Sequence, residues 1–230
     1  MKFKAIIFDF DGVLFDSEKI HLQTYNQIFH TLGFTISEAE YFQRYIGLSD
    51  SEIFKLIFDE KNINYDLNQI DHFRKSKITA YRSIINHSKS LKGLPHVDSF
   101  IKYYLNKIEH FAICSGAARE EIEAILNKLE NGKLRKCFKE IITIDDINFG
   151  KPSPEGYLLA AKRLNVLPQD CLAIEDTPKG IAAAKNAGMN VVAITTSCDK
   201  AILNEADFIA DNYNQIDAWV KNLIGTIKKR

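Results

Sequence analysis

The chain has 230 residues, enough for one large domain or a core with a modest insertion, and its 46% hydrophobic content can fill a sizeable core. Lys and Arg number 30 and Asp and Glu number 30, so the formal net charge is zero and no basic excess exists to displace counterions from a nucleic-acid backbone. No run approaches the roughly 20 apolar residues of a membrane span, and Asp9 and Asp11 interrupt the apolar start too early for a secretory leader. A cytoplasmic monomer that binds neither nucleic acid nor membrane is expected.

Residues 4–8 (KAIIF) read as a buried strand that ends at Asp9-Phe10-Asp11-Gly12. Carboxylates at i and i+2 start on one face of the chain and repel, which a divalent cation relieves. Gly12 lets the backbone turn at once, so the second carboxylate need not copy the first. A calcium loop does not fit, because its glycine belongs at the sixth position and an acid at the twelfth. The only terminal basic cluster, Lys228, Lys229 and Arg230, reads as a solvated tail.

After the first strand, no strand pair is apparent before Phe111. Ser37 to Glu40 and Ser49 to Glu52 both match the S-x-x-E capping box and predict helix starts. Residues 17–90 are therefore expected to form a helical insertion, with Lys92-Gly93-Leu94-Pro95 as the return hinge. Residues 1–16 and 91–230 would form the core domain.

From there, short apolar runs at 111–114, 140–144, 171–174 and 191–195 read as strands separated by helices. One helix begins near Ala118, with Glu120, Glu121 and Glu123 in its first turns. Two more begin at Ser153-Pro154 and Thr177-Pro178, the last ending at Gly188. This alternation predicts an α/β fold, a Rossmann-like, doubly wound parallel sheet. Cys114 and Cys171 sit in apolar runs and read as buried thiols; none of the four cysteines forms a C-x-x-C pair.

Three of the later strands carry polar chemistry at or just beyond their ends. Ser115-Gly116 precedes a helix, so Ser115 is either a helix cap or an anion ligand. Lys151 is held between Gly150 and Pro152, as a surface lysine or as a fixed charge beside a phosphate. Glu175-Asp176 is a second acidic pair, either solvated near a helix start or a set of oxygen ligands suited to magnesium. In parallel sheets, ligands bind beyond the carboxyl ends of the strands.

Taken in order, Asp9-x-Asp11-Gly12-Val13-x-x-Asp16-Ser17, Ser115, Lys151-Pro152 and Glu175-Asp176-Thr177-x-x-Gly180 resemble the four motifs of the haloacid dehalogenase superfamily of phosphohydrolases. The early helical insertion resembles the α-helical cap of its β-phosphoglucomutase and phosphoglycolate phosphatase branch. The resemblance implies that Asp9 is a nucleophile that becomes an aspartyl phosphate and that Asp11 is the acid and base. It implies that Mg2+ is held by the Asp9 carboxylate, the Asp11 backbone carbonyl and Asp176, with Glu175 in support. Ser115, the Gly116 backbone and Lys151 would hold the phosphoryl oxygens. The presence of Asp11 favours phosphate chemistry over dehalogenation.

The same resemblance places Ser17, His21, Ser49 and Lys77 near the substrate. His21 is equally compatible with an ordinary helix position, and Lys77 with an exposed surface lysine. Asp50 stands where β-phosphoglucomutase carries an arginine, and an acid there would repel a second phosphate. The expected function is a magnesium-dependent phosphatase of a small phosphorylated metabolite. A sugar-phosphate mutase and a non-catalytic phosphometabolite-binding protein are the alternatives.

Overall fold

A computed structural model describes residues 3–227, so the basic cluster Lys228, Lys229 and Arg230 lies outside the described residues. Strands β1 (Ala5–Phe8), β2 (His110–Cys114), β3 (Glu140–Ile142), β4 (Cys171–Glu175), β5 (Asn190–Ile194) and β6 (Phe208–Ala210) form one sheet in the order β3-β2-β1-β4-β5-β6. Every pairing is parallel. The expected doubly wound sheet is thus present, with one more strand than the sequence predicts.

Alternation along the strands divides the core in two. Ile6, Phe8, Phe111, Ile113, Leu172, Ile174, Val192 and Ile194 point to one face, beneath α5 (Val97–Tyr104), α6 (Arg119–Leu126) and α9 (Tyr213–Ile227). Ala5, Ile7, Ala112, Cys114, Cys171, Ala173, Val191 and Ala193 point to the other, beneath α7 (Glu155–Leu164) and α8 (Pro178–Asn186). The second face is rich in small side chains, so its helices approach closely. A Cβ on Gly156 would come within 2.8 Å of the Cys114 sulfur. Burying each large aliphatic or aromatic side chain contributes roughly 1.5–3 kcal/mol.

Predicted boundaries move for local reasons. The third strand stops at Ile142, because the Thr143 amide and hydroxyl turn to Asp146 Oδ2 at 2.9 and 3.0 Å. Pro154 caps α7 instead of opening it. The helix from Thr177-Pro178 forms as expected, and Gly188 follows it at φ +81°.

Between β1 and α5 lie α1 (Glu18–His30), α2 (Glu38–Arg44), α3 (Asp50–Glu60) and α4 (Leu67–His87). Ser37 caps α2, and Ser49 with Glu52 closes a full capping box on α3. These helices bury an aromatic cluster of their own that includes Tyr25, Phe29, Tyr41, Phe54 and Phe58. The C-terminal half of α4 packs differently: Tyr81 and Ile85 join the core above the sheet. The chain returns beside its point of departure, where the Leu94 amide donates to Leu14 O at 3.0 Å. No helix among the described residues is long and apolar enough to cross a membrane.

Candidate active site

The order β3-β2-β1-β4-β5-β6 reverses direction at β1 and β4, and the crevice beyond these two strands is where parallel sheets hold ligands. Asp9 follows β1, while Glu175 closes β4 and Asp176 follows it. Strand register sets them side by side: Phe8 pairs with Ile174, and the Asp9 amide donates to Ile174 O at 2.9 Å. Asp9, Glu175 and Asp176 are buried, and one oxygen of each lies within 4.8 Å of the others.

Lys151 reaches this cluster from the loop before α7. Its Nζ lies 2.5 Å from Asp9 Oδ1 and 2.5 Å from Glu175 Oε1, so it is an interior cation and not a surface lysine. Tyr157 donates to the same Glu175 oxygen at 2.6 Å. Burial alone would lower the Lys151 ammonium, but Asp9 and Glu175 outweigh it and hold Lys151 well above its ordinary value. Burial drives the carboxyls of Asp9 and Asp176 well above theirs.

With all three carboxylates ionised, the one ammonium would leave two negative charges uncompensated, a repulsion that adds to burial in raising Asp9 and Asp176. Asp176 Oδ2 is buried and meets no hydrogen-bond donor among the described residues. Gly12, at φ +70°, makes room for that carboxylate, since a Cβ there would sit 1.9 Å from Asp176 Oδ2. Oxygen donors, a charge deficit of two and an orphaned oxygen together fit a hard divalent cation such as Mg2+.

Asp11 belongs to a different network. The turn that follows it, closed by Gly12 N to Phe15 O at 2.8 Å, swings its side chain away from Asp9's partners. Ser17 donates its hydroxyl to Asp11 Oδ1, and His21 Nε2 lies 3.2 Å from the same oxygen. Burial would raise the Asp11 carboxyl, but the charge and hydrogen bond of His21 overcome this and hold it below its usual range. The His21 imidazole, lowered by burial and by Lys77, is raised overall by its bond to Asp11. Its ring stacks on Tyr81, with centroids 4.6 Å apart.

Gly116 and Lys151 line the same pocket as Asp9, Asp11 and Asp176, as do His21, Ser49 and Lys77. Two expected residues stand behind it. Ser17 is fully buried against Asp11. Ser115 is not the helix cap, which is Ala118; its hydroxyl accepts from the Ala117 amide at 3.0 Å and borders a smaller adjoining cavity.

The pocket's far wall departs from expectation. Lys77 is only 1% exposed, which excludes the surface-lysine alternative. Its Nζ lies 2.9 Å from Asp50 Oδ1 and 2.8 Å from Glu121 Oε1. Tyr25 also donates to Asp50 Oδ1. Asp50 is therefore not the free repelling charge that its position in the sequence suggests. Glu18 was not foreseen: it is buried, lines the pocket and accepts from the Tyr41 hydroxyl at 2.7 Å. In sequence it looks like an ordinary acidic residue in a first helical turn. Gly47, at φ +74°, brings the following loop against Thr177, with a Cβ position 3.5 Å from its side chain.

The family model of haloacid dehalogenase-like hydrolases matches residues 6–194. The chain is 29% identical to a phosphorylated carbohydrates phosphatase of Thermotoga maritima, over 81% of this chain and 82% of that protein. It is 29% identical to the fructose-1-phosphate phosphatase of Escherichia coli, over 83% of this chain and 96% of that one. The crystal structure of a β-phosphoglucomutase from Clostridium difficile is similar with a TM-score of 0.83 and 26% identity, over 99% of this chain and 100% of that one.

Proposed function

Because the chain belongs to the haloacid dehalogenase-like hydrolase family, we propose that it is a magnesium-dependent phosphatase of a small phosphorylated metabolite, with Asp9 as nucleophile. The observation that carries this is the placement of Asp9 beside Lys151, Glu175 and Asp176 at the ends of adjacent central strands. The phosphatase relatives support the same reaction class. In this reading α1 to α4, within residues 17–90, form a cap over a core made of residues 1–16 and 91–230.

Asp9, Asp176 and the Asp11 backbone carbonyl would hold Mg2+, with Glu175 alongside. When bound, the ion supplies positive charge that draws the phosphoryl oxygens toward Asp9. A carboxylate oxygen of Asp9 forms a bond to phosphorus as the ester oxygen leaves. Lys151 offsets charge on the phosphoryl group, and Gly116, which lines the pocket, would donate its amide to that group. Ser115 shapes this loop from behind.

The leaving oxygen needs a proton, yet the Asp11 carboxyl is held below its usual range. His21 resolves this. His21 Nε2 lies 3.2 Å from Asp11 Oδ1, and with His21 raised and Asp11 lowered the proton they share favours the imidazole. As charge grows on the leaving oxygen, His21 passes its proton to Asp11 and Asp11 gives one to the leaving oxygen, which leaves neutral His21 and an Asp11 carboxylate. Both contacts to Asp11 fall on Oδ1, which leaves Oδ2 for the substrate. In the second half, Asp11 takes a proton from water as the water oxygen attacks the phosphorus on Asp9, releasing inorganic phosphate and restoring the carboxylate.

A second reading, a sugar-phosphate mutase, draws support from the likeness to the β-phosphoglucomutase. It would return the phosphoryl group to a rebound sugar instead of to water. Phosphate release from a metabolite panel, with Mg2+ or EDTA and with Asp9→Asn, tests the proposal. Metal-dependent release that Asp9→Asn abolishes supports the phosphatase. Isomer formation that depends on a bisphosphate, without phosphate release, supports the mutase and overturns it.

A further inference from the structure

The pocket continues past the phosphate end to a wall built from α1, α3 and α4, whose charges are all engaged. Among the described residues, three basic side chains line the cavity: His21, Lys77 and Lys151. His21 lies against Asp11, and Lys151 serves Asp9 and Glu175. Lys77 alone stands at the far wall, and it faces two carboxylates, Asp50 and Glu121.

One ammonium between two carboxylates has no positive charge to spare for a ligand. The charge-reinforced contacts from Lys77 and Tyr25 keep the Asp50 carboxyl below its usual range, although burial opposes them. Glu18 adds a further acid to this wall, its Oε2 held by Tyr41. Lys179, from the core, reaches only Glu52, at 3.3 Å. A phosphate or carboxylate arriving here would be desolvated beside acids with no free cation to receive it. A hydroxyl group would instead find acceptors in Glu18 and Asp50, while the Ser49 hydroxyl already donates to Glu52 Oε2 at 2.7 Å.

We propose that this enzyme selects phosphomonoesters whose other end is uncharged and hydroxyl-bearing, and that Asp50, by occupying Lys77, rejects substrates with a second anionic group. The inference rests on the phosphatase reading for the position of the reacting phosphate, but selectivity in binding can be measured without turnover.

The test is calorimetric binding to the full chain carrying Asp9→Asn, in Mg2+, with matched pairs. These are fructose 1-phosphate against fructose 1,6-bisphosphate, glucose 6-phosphate against glucose 1,6-bisphosphate, and glycerol 3-phosphate against phosphoglycolate. At least one uncharged-end ligand should bind tenfold or more tighter than its anionic partner. Adding Asp50→Asn should shrink that ratio about tenfold by freeing part of the Lys77 charge, and Asp50→Glu should restore it. A panel in which no such ligand outbinds its anionic partner overturns the inference, and so does a ratio indifferent to Asp50→Asn in a protein that still melts cooperatively. The pairs on the Asp9→Asn protein alone remain decisive where Asp50→Asn fails to fold. Absent phosphate release with the predicted binding order would overturn only the phosphatase reading; release with the opposite order would overturn only this inference.

Discussion

Lys77 on α4 lies 2.8 Å from Glu121 on α6, and this buried ion pair joins the helical layer to the sheet-bearing core. Glu121 also accepts from the Ala118 amide at 3.3 Å, in the turn that leads from Ser115 and Gly116 into α6. The pair therefore joins the pocket's far wall to the loop that carries Ser115 and Gly116. Lys77→Met would leave Asp50 and Glu121 buried without their cation. We expect a loss of about 3–5 kcal/mol in stability, the usual penalty for breaking a buried pair from one side. Urea unfolding followed by circular dichroism measures it, and a loss below about 1 kcal/mol would contradict this account of the wall.

The His21–Asp11 contact should be visible in titration. Asp11 raises His21 above 6.5, while burial and Lys77 both pull it down. Asp11→Asn should therefore move the His21 proton resonances to a midpoint below that of the wild type. The sign for stability follows. The His21 contribution is complete below pH 6.5 and is lost as pH rises through the raised folded value. The Asp11 contribution is present above pH 3.8 and is lost as pH falls through its depressed value. An unchanged His21 midpoint in Asp11→Asn would show that the two groups are not coupled.

Two glycines with positive φ should respond differently to alanine. Gly33, at φ +86°, has nothing within 4 Å of a Cβ, whereas at Gly12, φ +70°, a Cβ would lie 1.9 Å from Asp176 Oδ2. Gly33→Ala should cost about 1 kcal/mol of stability from backbone strain and leave turnover intact. Gly12→Ala adds a collision with the proposed metal ligand, and phosphate release should fall at least 100-fold. Equal turnover in the two variants would refute the close approach at Gly12.

Mg2+ should stabilise the fold as well as support turnover. At 100 times its dissociation constant, a ligand bound only by the native state adds about 2.7 kcal/mol. The melting midpoint should rise with Mg2+ and return with EDTA, and Asp176→Asn should abolish most of the rise. A midpoint indifferent to Mg2+ would count against the three-carboxylate site.

The parallel sheet and the chemistry at its strand ends were legible because they lie in short, contiguous signals. An apolar run followed by Asp9-x-Asp11-Gly12, or by Glu175-Asp176-Thr177, announces itself within ten residues. Strand β6 escaped notice because it is three residues long, Phe208–Ala210, and its first two are only partly buried. Lys77 left its role open because a lone lysine in a helical pattern carries no mark of its partners. Asp50 and Glu121 reach it from other helices, and burial is decided only once those helices pack. Glu18 was hidden for the converse reason: its partner Tyr41 lies 23 residues on, and nothing local separates it from a solvated acid.

The adjacency of Asp9 to Glu175 follows from parallel pairing between β1 and β4, through Phe8 and Ile174. Neighbouring strands lie about 4.8 Å apart whatever side chains they carry. The proposed reacting groups thus inherit their spacing from backbone geometry, while much of the pocket's far wall stands on helices packed around a separate aromatic cluster. Such a division would let much of the far wall vary over generations, apart from the Lys77–Glu121 pair, without disturbing that spacing. Under the proposed function, substitutions on α3 could redraw the range of accepted compounds while Asp9, Glu175 and Asp176 keep their places, so a lineage could explore new substrates without losing the reaction.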